Sequence, residues 1–175
     1  MAAILILYST VDGHTREIAR HIQRTLTEKA HEVPVAPIHD AAVLSLQNFD
    51  KIVVGASVRY GRYRPEVYEF GKRHAQRLDG KPTAFFSVNV VARKPGKDTP
   101  ATNPYLRRFL KRSAWQPRET AVFAGKIDYP RYRALDRWMI RIIMWMTHGP
   151  TAPTAVVEFT DWQQVEAFAR RVDAL

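Results

Sequence analysis

Cysteine is absent from the 175 residues. Disulfides, thiolate metal sites, iron–sulfur clusters and cysteine nucleophiles are thereby excluded together, so any redox chemistry must come from an organic cofactor. Neither GxGxxG nor a P-loop lysine occurs, which disfavours dinucleotide and nucleoside triphosphate binding. No nucleophile motif frames any serine, and the six histidines, at 14, 21, 31, 39, 74 and 148, lack ligand spacing, so no metal is expected. The first ten residues, MAAILILYST, lack a basic leader region and a cleavage site; they read as a buried strand and point to the cytoplasm.

Negative charge is also scarce: 17 Asp and Glu stand against 27 Lys and Arg, a net +10. The excess is concentrated between Arg93 and Pro150, where thirteen basic residues meet four acidic ones, a balance of +9. Such a field attracts phosphates, anionic headgroups or carboxylate-bearing substrates without choosing among them. No recognised nucleic-acid motif accompanies it, so nucleic acid is not an expected partner.

What is present fits a packed fold. Apolar residues make up 46% and charged residues 25%, and the length suits one domain over residues 1–175. A continuous apolar run from Ala3 to Tyr8 predicts a strand covered on both faces. Ile18, Ala19, Ile22 and Leu26 then recur at helical spacing from Thr15 to about Glu28. The alternation continues with strands at Glu32–Ile38, Lys51–Ser57, Thr83–Asn89 and Thr120–Ile127. Helices fall at Pro65–Leu78, Asn103–Ser113 and Asp161–Val172. Five strands with crossover helices predict a doubly wound α/β parallel sheet.

Three loops follow strands at their carboxyl ends, where such sheets bind ligands. Ser9, Thr10, Val11, Asp12, Gly13, His14 and Thr15 join the first strand to the first helix. Hydroxyls and unpaired N–H groups at a helix start suit a phosphomonoester such as that of FMN. A capped turn that binds nothing is the alternative. Ser57, Val58, Arg59, Tyr60 and Gly61 end the third strand, and Tyr60 could stack on a flat ring; the alternative is a surface turn. Ser87, Val88, Asn89, Val90, Val91, Ala92 and Arg93 end the fourth and offer polar groups to a heterocycle edge; a solvated pair is the alternative for Arg93 and Lys94.

Residues from about 128 to 153 break the alternation and read as a basic amphipathic insertion after or within the fifth strand, with Ala155–Phe159 as a continuation of that strand. From Tyr132 to Thr147, Leu135, Trp138, Met139, Ile142, Ile143 and Met146 share one helical face and Arg133, Arg137 and Arg141 another. The segment is too short to span a bilayer but suits an interfacial helix, with Trp138 and Trp145 among its apolar residues. Docking on its own domain or on a second copy is the alternative, and a homo-oligomer stays open.

The run Ile6 to Thr15 resembles the flavodoxin signature, in which a hydroxyl-rich turn holds the FMN phosphate. Gly55 to Gly61, Ser87 to Pro95, Tyr129 to Arg133 and Thr160 to Trp162 further resemble the bacterial menaquinone-dependent protoporphyrinogen oxidases. That likeness implies a flavodoxin-like sheet of order 2-1-3-4-5, FMN bound without covalent attachment, and oxidation of protoporphyrinogen IX with menaquinone or ubiquinone as acceptor in heme synthesis. A peripheral enzyme on the cytoplasmic face of the inner membrane is expected, and the insertion's pattern makes Arg131, Arg133, Arg137, Trp138, Arg141 and Trp145 the candidate contacts to substrate or membrane. No catalytic side chain is implied, since FMN performs the chemistry. Asp12 departs from the usual flavodoxin turn and is expected to point outward or cap the helix. The rival readings are an NAD(P)H-dependent quinone reductase and a non-enzymatic electron carrier.

Overall fold

The computed structural model describes residues 1–175. Its centre is β1 (Ile4–Ser9), whose residues are nearly all buried because strands flank it on both sides. β2 (Val35–Pro37), β3 (Lys51–Ser57), β4 (Thr83–Val88) and β5 (Glu119–Phe123) complete a parallel sheet of order β2-β1-β3-β4-β5. Side chains alternate across it. Leu5, Leu7, Ile52, Val54 and Phe85 face a layer formed by α2 (Pro65–Asp79) and α3 (Pro104–Arg112). Ile4, Ile6, Val53, Ala84 and Phe86 face α1 (His14–Thr27) and α5 (Trp162–Ala174).

Local chemistry fixes the helix starts. Asn103 caps α3 by accepting from the N–H groups of Tyr105 and Leu106, with Pro104 in the first turn. Asp161 caps α5 through Gln163 and Gln164. α1 has no side-chain cap: Gly13 precedes it at φ 90°, in the left-handed region that favours glycine. In β3, Gly55 lets the Phe86 ring lie directly on the backbone, where a Cβ would sit 2.0 Å from Cζ.

Several expectations are corrected. The second strand is only Val35–Pro37, because Pro34 and Pro37 lack the N–H a longer edge strand would use. The fifth strand stops at Phe123, opposite the last residue of β4, so the chain beyond it has no parallel partner there. Lys126–Asp128 forms β6 and pairs antiparallel with β7 (Val156–Glu158) in a separate two-stranded sheet. Ala155–Phe159 therefore does not continue the fifth strand. Between β6 and β7 lies α4 (Ala134–Met146), whose inner residues Ile140, Ile143 and Met144 pack with Ile127, Tyr129 and Tyr132. Ile143 thus sits on the inward face rather than with Leu135 and Trp138.

Candidate functional site

A cleft opens at the carboxyl ends of β1, β3 and β4 and is closed on its far side by β6 and α4. Its floor is formed by Thr10, Val11, Asp12, His14 and Thr15. Thr10 Oγ1 accepts from the Gly13 N–H at 3.0 Å, folding the turn so that the uncapped start of α1 faces the cleft. Thr15 Oγ1 is buried, the residue being 1% exposed, and has no hydrogen-bond partner; Ser57 Oγ, at the end of β3, is likewise buried and unpartnered. Both residues border the cleft. A buried hydroxyl left unpaired costs about 1–3 kcal/mol, so two bordering one cleft, one of them at a helix start, fit an anion whose oxygens would satisfy them.

The second loop is a tight hairpin turn. Arg59 and Arg62 exchange backbone bonds of 2.9 and 3.2 Å, and Tyr60 and Gly61 between them take φ 49° and 77°. Arg59 ties the cleft together. Its guanidinium meets Asp12 at 2.5 Å and Asp136 of α4 at 3.5 Å, and lies 4.9 Å from the Tyr132 ring centroid. Burial pulls its pKa down, but Asp12, Tyr132 and Asp136 outweigh that and hold it above the ordinary value. Asp12 therefore caps no helix; Arg59 takes its charge. Tyr60 donates its hydroxyl to Asp136, which raises the tyrosine pKa and lowers that of the carboxyl.

The third loop is held from beneath. Ser87 Oγ accepts from Tyr63 at 2.6 Å and from Asn89 Nδ2 at 3.0 Å, while Asn89 Oδ1 accepts from the Ala92 N–H and from Asn103 Nδ2. Burial first, and the neighbouring tyrosines after it, keep the Tyr63 hydroxyl protonated against the lowering effect of Ser87. This network presents Val88, Asn89, Val90 and Val91 to the cleft. It also corrects the expected binding set. Ser87 is spent on the scaffold, Ala92 is buried beneath the loop, and Arg93 turns away to the Thr147 carbonyl and the Phe159 ring. Ser9 donates to Glu66 at 2.6 Å, and neither it nor Gly13 reaches the cleft wall; the remaining residues of the three loops do.

On the α4 side, Arg131 lines the cleft. Arg137 instead donates to the carbonyls of Tyr129 and Tyr132 at 3.0 and 3.2 Å, and Arg141 to that of Thr151 at 2.8 Å. Both stitch the chain around α4; Arg133 and Arg141 are exposed, and Arg133 alone of the three has no side-chain hydrogen-bond or ion-pair partner. Trp138 (59% exposed) and Trp145 (74%) project outward with Leu135 and Met146. No helix is long and apolar enough to cross a membrane.

Several wall residues escaped the sequence reading: Glu17, Tyr105, Gly125, Lys126, Ile127, Asp128, Tyr132, Ile140, Ile143 and Met144. Only the helical period of Ile140, Ile143 and Met144 could have signalled them. The pairing of Asp136 with Tyr60 and Arg59 has no sequence signature.

The model of a flavodoxin domain family matches residues 5–154. A protein of Escherichia coli K12 named protoporphyrinogen IX dehydrogenase [quinone] is 50% identical over 168 residues, covering 96% of this chain and 93% of that protein. A Leishmania major protein of the same name is 42% identical over 172 residues, 98% of this chain and 74% of its own length. Among solved structures, oxidised flavodoxin 2 from Bacillus cereus superposes with a TM-score of 0.58 at 21% identity, each chain 99% covered, which shows the fold alone.

Proposed function

The chain belongs to the flavodoxin domain family, whose fold holds a flavin, and from that premise we propose that it binds FMN and oxidises protoporphyrinogen IX to protoporphyrin IX. Electrons pass on to a respiratory quinone, menaquinone or ubiquinone. The observation that carries the substrate is likeness to enzymes of that name along 96% of the chain, α4 included. The cleft supports the choice of FMN: one anion-receiving floor accommodates a single phosphate.

When bound, the flavin supplies two-electron oxidation. The chain's own residues do the rest. Thr15, Ser57 and the first-turn N–H groups of α1 would hold the phosphate. Val58, Tyr60, Val88 and Val90 offer apolar and aromatic surface to the ring plane, and Asn89 is fixed so that its loop keeps its shape. The wall of Ile127, Tyr132, Ile140 and Met144 excludes water from one side. Each pair of hydrogens lost by the macrocycle would be balanced by reduction of one quinone to its quinol.

The outward face of α4 supports a peripheral position on the cytoplasmic face of the inner membrane, with Trp138, Trp145 and Met146 in the acyl boundary. That position serves a lipophilic quinone. Reduction of FMN-loaded protein by protoporphyrinogen but not by NAD(P)H tests the assignment; efficient reduction by NAD(P)H with none by porphyrinogen overturns it in favour of a quinone reductase.

A further inference from the structure

Beside the cofactor cleft lies a second cleft lined by Gly61, Arg62, Tyr63, Tyr68, Tyr105, Arg108 and Arg112. No carboxylate reaches its wall. None of its three arginines forms an ion pair or a side-chain hydrogen bond, whereas Arg59 and Arg64 in the same loop do. Arg108 and Arg112 sit one turn apart on α3, in line with Tyr105, and Arg107 and Lys111 add charge to the same helix without acidic partners. Like charges at that spacing repel. Complementing the helix dipole explains cations in the last turn of α3, but not the approach of Arg62 from a different element.

The two clefts are joined. Gly61 and Tyr105 line both, and the Tyr105 ring lies 3.8 Å from the position a Gly61 Cβ would take. A flat ligand reaching out over the Tyr60–Gly61 turn would carry its rim above three unpaired guanidinium groups. Guanidinium forks match carboxylates in a bidentate manner that ammonium groups cannot.

We propose that Arg62, Arg108 and Arg112 form the carboxylate subsite of the substrate, receiving the propionate side chains of the tetrapyrrole while its ring faces the flavin cleft. This rests on the substrate assigned above. Arg62 and the α3 pair then set specificity for the free acid, and the apolar remainder of the macrocycle lies toward Tyr105.

The test compares binding of protoporphyrin IX and of its dimethyl ester to the FMN-loaded protein, followed by fluorescence, in wild type and in the double variant R108Q/R112Q. The variant removes like-charge repulsion from an exposed helix face, so it should fold; circular dichroism and FMN content check this. The free acid should bind the variant at least about tenfold more weakly, ~1.4 kcal/mol, while the ester binds both proteins equally. Unchanged affinity for the free acid overturns the subsite, as does an equal loss for acid and ester. Loss of binding to anionic phosphatidylserine vesicles with acid affinity intact assigns the cluster to lipid and overturns it too. Wild-type protein that discriminates acid from ester yet does not oxidise the porphyrinogen sinks the proposed reaction and leaves the subsite standing.

Discussion

Replacing Thr15 by Val should move two measurable quantities in opposite directions. Thr15 Oγ1 is buried and has no partner in the protein, at the uncapped start of α1. Valine keeps the branched shape, lies close to threonine in helix propensity and removes the orphaned hydroxyl. The ligand-free protein should therefore gain stability, up to the ~1–3 kcal/mol an unsatisfied buried group costs. For a domain of this size each kcal/mol raises Tm by about 2–4 °C. If Thr15 holds the FMN phosphate as proposed, the same change would delete a charge-assisted bond worth ~1.5–3 kcal/mol. At ~1.4 kcal/mol per decade, Kd should rise between about tenfold and somewhat over a hundredfold. Thr10 is a poorer choice, because its hydroxyl also folds the turn through Gly13. Fluorescence titration with FMN and thermal melts of apoprotein provide the two readouts. An affinity within about twofold of wild type, or a lowered apoprotein Tm, would refute the phosphate assignment.

Other outcomes follow from the same geometry. Gly55→Ala places a Cβ 2.0 Å from the Phe86 ring within the central sheet, so overpacking of about 1–3 kcal/mol or more should lower the urea midpoint sharply; a midpoint equal to wild type would show that Phe86 can move. Asp173 is held down to about 2, below its ordinary 3.8, first by Lys29 and then by His31, tying the end of α5 to the chain after α1. A depressed carboxyl stabilises the fold above 3.8, and that contribution is lost as pH falls toward about 2. Asp173→Asn should lower stability at neutral pH and flatten the acid limb of denaturation; an unchanged limb contradicts the coupling. Trp138→Ser with Trp145→Ser should abolish binding to anionic vesicles in a flotation assay while FMN content stays native, and retained binding would turn attention to a dimer through the same face.

The sheet was legible because its strands are unbroken apolar runs and its helices carry clean apolar stripes. Lys51–Ser57 was read to the residue, since both faces of β3 are covered and nothing interrupts it. The second strand was misjudged where proline withholds N–H groups, and the fifth where a partner strand runs out, a fact that only pairing reveals. The three loops were found from their place after strands, yet which of their side chains face the cleft was not. Ser87 reads as a ligand group, but in the folded chain its hydroxyl is taken by Tyr63 and Asn89, and Asn89 is in turn held by Asn103. The helical period marked α4 as amphipathic with an apolar face; that Arg137 and Arg141 spend themselves on local carbonyls depends on how the chain turns at Tyr129 and Thr151.

The most direct measurement of the central claim is anaerobic mixing of FMN-loaded protein with protoporphyrinogen IX while the flavin absorbance is followed. Bleaching of the flavin with matching appearance of porphyrin, and recovery of colour on adding quinone, is the expected result. A flavin that stays oxidised in the presence of bound porphyrinogen would contradict it.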